Sequence, residues 1–142
     1  MIRLFGIDDH FLILEGLGRA FNEKSDEIEL VGSAGNIEEA LKIIPGILPD
    51  IIILDLFIDD SDPVENFQKL HAAFPAIPIV ILSLEESLRW QVKMFKIGVM
   101  GYLNKGEKKE TMKSVFQQVA LGNLVIPNNV SQALIAKTTY PK

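Results

Sequence analysis

A chain of 142 residues, 48% hydrophobic and 23% charged, has the size of one ordinary domain and enough apolar content for a full core, which excludes disorder. Its formal net charge of −5 argues against holding nucleic acid by neutralising phosphates. There is no cysteine for a disulfide or a thiolate metal site, no apolar run reaches the roughly 18 residues that span a bilayer, and Asp8-Asp9 interrupts any signal-peptide pattern; the chain reads as cytoplasmic, without a membrane partner.

In chain order, Ile2–Ile7 is a buried-type strand that stops at Asp8-Asp9. Leu12, Leu14, Leu17 and Phe21, at mixed spacing with three-to-four steps from Leu14 onward, predict an amphipathic helix over 11–21. A second strand spans 28–34. Asn36-Ile37-Glu38-Glu39 reads as a capping box, Asn36 at the N-cap and Glu39 at N3, opening a helix that must end before Pro49. Strand three, 51–54, is an unbroken apolar run closed by Asp55. Pro63 suits the first turn of a helix carrying Phe67, Leu70 and Phe74. Strand four, 77–82, ends at Ser83, and a helix over 85–97 follows with Val92, Met94 and Phe95 apolar. Gly98 and Gly101 bracket the entry to a short fifth strand, Tyr102-Leu103, which leads to Lys105. A long helix over 107–121 stops at Gly122. The tail breaks at Pro127-Asn128-Asn129, allows a short helix over 130–136, and ends in the linker-like Thr138-Thr139-Tyr140-Pro141-Lys142. The expected division is a domain over 1–124 and a linker with a short helix over 125–142.

Strands alternating with helices imply an α/β fold with a parallel sheet and right-handed crossovers. The nearly unbroken apolar runs of strands one, three and four suit strands covered on both faces. In such open sheets ligands sit beyond the carboxyl ends of the strands. Asp8, Asp9, Asp55, Ser83 and Lys105 all fall at such ends.

Singly, each of these residues has an ordinary explanation: an Asp between strand and helix caps the helix, Ser83 is another cap, and Lys105 is a surface lysine. Together they have a chemistry. Three carboxylates crowded at one edge repel one another unless a cation neutralises them. Mg²⁺ suits such a site, bound through one or two carboxylates, a carbonyl and waters. Asp55 is then a candidate nucleophile toward phosphorus, with Lys105 balancing the phosphoryl charge and the Ser83 hydroxyl hydrogen-bonding a phosphoryl oxygen.

Four segments carry a family resemblance: Ile7-Asp8-Asp9-His10, Ile53-Leu54-Asp55-Leu56, Ile81-Leu82-Ser83 and Gly101-Tyr102-Leu103-Asn104-Lys105. Over about residues 2–122 the chain resembles a CheY-like receiver domain of two-component response regulators, and most nearly the NarL/LuxR-type subgroup. The resemblance implies a flavodoxin-like, doubly wound five-stranded sheet of order 2-1-3-4-5 with helices on both faces, the order known for the chemotaxis member of that family. It implies Asp55 as phosphoacceptor, Asp9 holding Mg²⁺ directly, Asp8 through water and the Phe57 backbone carbonyl as a further ligand. Ser83 and Tyr102 are implied as a switch pair and Lys105 as the phosphoryl-binding cation. The implied partners are a sensor histidine kinase, a second copy in a phosphorylation-dependent homodimer, and DNA only through a C-terminal helix-turn-helix domain absent from these residues. Phe57 and Glu85, each two positions after a site residue, are the side chains expected to set the lifetime of the phosphorylated form.

The sequence departs from the family pattern in places. Phe57-Ile58-Asp59-Asp60-Ser61-Asp62-Pro63 replaces the usual Met-Pro pair and later glycine, Gly106 stands where a proline often follows the lysine, and Leu84 is bulkier than the usual small residue and narrows access. A haloacid-dehalogenase-type phosphatase needs an Asp where Phe57 stands. A flavodoxin needs a hydroxyl- and glycine-rich phosphate loop where Asp8-Asp9 stands. Asp59, Asp60 and Asp62 lack the glycine and distant Glu of an EF-hand and read as a solvated turn. His10 and His71 lack partners at ligand spacing and read as surface histidines. The alternative function is a pseudo-receiver that binds partners without phosphorylation.

Overall fold

The computed structural model describes residues 1–22 and 27–139. Five strands, β1 (Ile2–Ile7), β2 (Ile28–Ala34), β3 (Ile51–Asp55), β4 (Ile79–Ser83) and β5 (Gly101–Asn104), form one sheet in the order β2-β1-β3-β4-β5. Every pairing is parallel. The helices are α1 (Phe11–Ala20), α2 (Ile37–Ile47), α3 (Pro63–Ala73), α4 (Leu88–Ile97), α5 (Lys109–Ala120) and α6 (Asn128–Thr139). This is the expected flavodoxin-like α/β arrangement.

The period-two alternation of strand side chains divides the core into two layers. Phe5, Ile7, Ile52, Leu54, Ile79 and Ile81 face one way, onto Ala40 and Ile44 of α2, Phe67 and Leu70 of α3, and Val92 and Phe95 of α4. Leu4, Ile51, Ile53, Val80, Leu82 and Leu103 face the other way, onto Leu17 of α1 and Met112, Val115, Phe116 and Val119 of α5. The four apolar residues of β3 are at most 2% exposed, and each such burial stabilises the fold by about 1.5–3 kcal/mol. The rigid middle of the sheet therefore fixes where β1 and β3 deliver the acids that follow.

Between β1 and β2 the register slips, so that Leu4 pairs with Leu30 but Phe5 with Gly32. A Cβ on Gly32 would sit 2.6 Å from Ile47 Cδ1 and 3.0 Å from Phe5 Cε2, so a larger residue there would make the Ile47 and Phe5 side chains shift. α2 begins as expected, with Asn36 Oδ1 accepting the Glu39 N–H at 2.8 Å; the Glu39 carboxylate reaches back to the Gly35 N–H at 3.2 Å, one residue earlier than a capping box predicts. α3 has Pro63 in its first turn, and the Asp62 carboxylate accepts the Val64 N–H at 3.0 Å.

Several boundaries differ from expectation. β4 begins at Ile79 rather than Ile77, because Pro78 has no N–H for the ladder and contributes only its carbonyl, to Ile52 N–H at 3.0 Å. α4 begins at Leu88 rather than Glu85. Side chains take up the backbone donors ahead of it: Ser83 Oγ accepts Glu85 N–H at 2.9 Å, Glu85 Oε2 accepts Ser87 N–H at 2.9 Å, and Ser87 Oγ caps Trp90 N–H at 3.3 Å. α5 is shorter than 107–121 at both ends. The expected break at Pro127 is a helix start instead: the Pro127 carbonyl accepts from Val130 and Ser131 N–H at 3.1 and 3.0 Å, and α6 runs well beyond 130–136. α6 packs on α4, with Val130 fully buried and Leu134 against the same core layer. The linker reading of Tyr140–Lys142 lies outside the described residues.

Candidate functional site

Parallel pairing places Ile7 beside Leu54, so the acids that come next, Asp8 and Asp55, stand together at the sheet edge. On the other side Ser83 pairs with Asn104, and the Lys105 N–H donates to the Ser83 carbonyl at 3.0 Å, which aims the lysine back over β3. Lys105 Nζ lies 3.0 Å from Asp8 Oδ2 and 3.3 Å from Asp55 Oδ1. Asp8 and Asp55 are 3% exposed, and the Lys105 side chain 7%. Asp9 sits at the mouth, 37% exposed, its Oδ2 accepting the Asp59 N–H at 3.2 Å.

The capping explanation for the paired acids does not hold. The N-cap of α1 is His10, without a side-chain cap bond, and Asp8 Oδ1 accepts the His10 N–H at 2.8 Å just outside the helix. What remains is an electrostatic imbalance. Asp8 Oδ2 and Asp55 Oδ2 are buried without a hydrogen-bond partner, the contact of Asp8 Oδ2 with Lys105 being an ion pair only. Burial, and then the neighbouring Asp8 charge, push the Asp55 carboxyl up to about 6, against the attraction of Lys105. One ammonium does not balance the buried acids. Asp8, Asp9, His10 and Asp55 each present a ligand atom, all within 4.8 Å of one another, the one such group among the described residues. Clustered carboxylates, two of them buried with an oxygen left unpartnered, fit a hard divalent cation.

Ser83 is 2% exposed, and both it and Tyr102 hold the loop before α4: Ser83 Oγ accepts the Glu85 N–H, and the Tyr102 hydroxyl donates to the Glu85 carbonyl at 2.6 Å. Burial pushes the Tyr102 hydroxyl up to about 12, with the Glu85 and Glu86 charges adding and the Ser83 hydrogen bond opposing. Phe57 is 43% exposed and meets Trp90 edge-on at 5.1 Å between centroids. The Glu85 carboxylate is engaged by the Ser87 N–H. Leu84 is 75% exposed. Asp59 and Asp60 take left-handed φ values of 50° and 53° in an exposed turn.

His10 is the residue the sequence reading missed. Its ring belongs to the pocket, with Nδ1 2.9 Å from Asp8 Oδ1, 3.3 Å from Asp9 Oδ1 and 3.8 Å from Asp55 Oδ2. The available signal was its place directly after the paired acids. His71 stacks on Phe67 on α3, at 5.3 Å between centroids.

Known proteins share this architecture. The sequence model of the response regulator receiver domain matches residues 4–117. The chain is 28% identical to the response regulator GacA of Pseudomonas aeruginosa over 142 residues, covering 100% of this chain and 66% of that protein. It is 28% identical to the DNA-binding transcriptional activator DevR/DosR of Mycobacterium tuberculosis over 137 residues, covering 96% of this chain and 63% of that one. It thus spans just under two thirds of the length of these relatives. Among solved structures, a LuxR-family two-component response regulator from Aurantimonas sp. SI85-9A1 superposes with a TM-score of 0.80 at 21% identity, covering 97% of this chain and 98% of that one, a likeness of fold.

Proposed function

The chain belongs to the response regulator receiver domain family, and from that premise we propose that Asp55 accepts a phosphoryl group from a sensor histidine kinase and that this event switches an output surface. The observation that carries the proposal is the buried Asp55 carboxylate, with Oδ2 lacking a hydrogen-bond partner and Oδ1 3.3 Å from Lys105 Nζ.

In this reading Asp55 Oδ2 attacks the phosphorus. The new O–P bond forms as the N–P bond to the kinase imidazole breaks, and that nitrogen keeps the electron pair. Asp8, Asp9, Asp55 and the Phe57 carbonyl would hold Mg²⁺, which supplies neutralisation of charge on the phosphoryl oxygens. Lys105 exchanges its contact with Asp55 Oδ1 for a phosphoryl oxygen. Ser83 Oγ, now accepting from Glu85 N–H, turns its own proton to another phosphoryl oxygen. Because Tyr102 is bonded to the Glu85 carbonyl, a shift of Ser83 is felt by the loop before α4 and by the α4 and β5 surface. The domain acts on no metabolic substrate and catalyses only the gain and loss of its own phosphoryl group.

The wider reading follows the relatives. A helix-turn-helix domain beyond residue 142 would bind DNA, a second copy would pair on phosphorylation, and the protein would regulate transcription in the bacterial cytoplasm. Residues 1–124 carry the switch, and the segment after them joins it to the output.

The test is the mass of the intact protein after incubation with acetyl phosphate, with and without Mg²⁺. Wild type gains one phosphoryl group only with Mg²⁺, and Asp55→Asn gains none. A wild type that gains no mass would instead support a phosphorylation-independent pseudo-receiver.

A further inference from the structure

The imidazole of His10 turns one nitrogen into the acid cluster. Nδ1 lies 2.9 Å from Asp8 Oδ1 and 3.4 Å from Lys105 Nζ. The Asp9 and Asp55 oxygens, at 3.3 and 3.8 Å, face the same nitrogen. Three carboxylates and a ring nitrogen thus gather at one place, each with a ligand atom within 4.8 Å of the others.

The spacing agrees with that arrangement. For metal–ligand bonds of about 2.1 Å, adjacent ligand atoms of an octahedron are about 3.0 Å apart and opposite ones about 4.2 Å. Nδ1 stands at roughly the adjacent-ligand separation from Asp8 and Asp9, and between the two values from Asp55. Asp8 and Asp55 are each 3% exposed and each has one carboxylate oxygen without a hydrogen-bond partner, the Asp55 one standing 3.8 Å from Nδ1, so this is not a cluster of surface acids alone.

We infer that His10 is a direct ligand through Nδ1 when the pocket holds a borderline divalent ion, and that it shifts the site's preference from Mg²⁺ toward ions such as Ni²⁺ and Zn²⁺. The inference rests on the reading of the pocket as a divalent-cation site. Imidazole is a strong ligand for nickel and zinc, whereas magnesium prefers carboxylate, carbonyl and water. With Mg²⁺ in place a water serves as well as the ring, so His10 matters little. With Ni²⁺ the ring is the donor that discriminates. His10 is 63% exposed, so its replacement disturbs no core packing.

Calorimetric titration of the untagged chain with NiCl₂ and with MgCl₂ tests this, comparing wild type, His10→Asn and His71→Asn. His71 is the other histidine, placed with Met1, Ile2 and Pro78 at the opposite end of the sheet. The expected result is a loss of about tenfold or more in Ni²⁺ affinity for His10→Asn. Mg²⁺ affinity should stay within about twofold, and His71→Asn should match wild type in both. A second measurement uses wild type alone: Zn²⁺ should move the His10 Nδ1 nitrogen resonance, and Mg²⁺ should not. An equal Ni²⁺/Mg²⁺ ratio in wild type and His10→Asn, or an Nδ1 resonance unmoved by Zn²⁺, overturns the role of His10 while leaving the cation pocket intact. Failure of every protein to bind either ion overturns the pocket itself.

Discussion

The two ends of this sheet treat charge in opposite ways. At the amino end, Asp50 Oδ2 accepts the Arg3 N–H at 2.8 Å, and Arg3 Nη1 donates to the Ile47 and Leu48 carbonyls at 2.8 Å each. Acid and base there are spent on backbone groups, the last carbonyls of α2 among them, and hold the fold together. At the carboxyl end, Asp8 and Asp55 are buried, share one lysine, and leave an oxygen each without a hydrogen bond. Similar residue types give a structural joint at one end and, in the proposed reading, a binding site at the other. The difference lies in satisfaction: groups with partners stabilise, and buried groups without them carry a cost that a ligand would relieve.

That contrast predicts mutational effects of opposite sign. Asp55→Asn should abolish phosphoryl uptake and yet make the ion-free protein more stable, by about 3 kcal/mol at pH 7.5, since a carboxyl raised from 3.8 to about 6 is disfavoured in its charged form by that order. The sign of the pH dependence follows. The raised folded-state value means that the folded protein holds this proton more tightly than the unfolded chain. Stability from this group therefore falls as pH rises from 3.8 to about 6, and the loss is complete above that. In urea unfolding with a chelator present, the advantage of Asp55→Asn should shrink as pH is lowered from 7.5 to 4.5. Excess Mg²⁺, at a hundred times its dissociation constant, should add about 2.7 kcal/mol to wild type and much less to the variant. A variant less stable than wild type in chelator would show that the carboxyl end is as well satisfied as the amino end.

At the amino end, Arg3→Ala should lower stability by about 2 kcal/mol, through loss of charge-assisted bonds to two carbonyls. Unlike the change at Asp55, this cost should not depend on divalent cations. The same urea titrations measure it, and a cost that disappears in Mg²⁺ would mean the two ends are not independent.

The two ends were not equally legible in sequence. The acids could be located because β1 and β3 are unbroken apolar runs that stop at them, and the strand period then fixes which faces are covered. Lys105 followed because β5 ends just before it. His10 escaped because membership of the pocket depends on how a largely exposed ring turns back over Asp8, which residue spacing does not encode. The start of α4 was misplaced for a related reason. Ser83, Glu85 and Ser87 use their side chains to hold the loop that precedes it, so residues that look helical in composition serve as caps. Pro127 looks like a break in sequence, although proline at that point opens a helix as readily as it ends one.

The smallest expected effect concerns the rim of the unsatisfied end. Loss of the proposed phosphoryl group would require a water in line with the P–O bond, and the side chain two positions after Asp55 is the expected guard of that approach. Phenylalanine cannot hydrogen-bond a water. The Phe57 ring leans edge-on against Trp90 of α4 and remains 43% exposed, an apolar surface two residues after Asp55. The other candidate, Glu85, has its carboxylate engaged by the Ser87 N–H, so the expected influence is exclusion of water by Phe57. Phe57→Asn removes the apolar edge and supplies a group that orients water. A barrier lower by about 1.4 kcal/mol shortens the lifetime about tenfold. The opposing view is that Phe57 serves only to pack Trp90. Phosphate release from wild type, Phe57→Asn and Trp90→Ala at equal Mg²⁺ separates the two. Shielding by the ring itself predicts faster release from Phe57→Asn and a smaller change in Trp90→Ala, where the ring is kept but loses its support. Equal lifetimes in wild type and Phe57→Asn would leave the packing role alone.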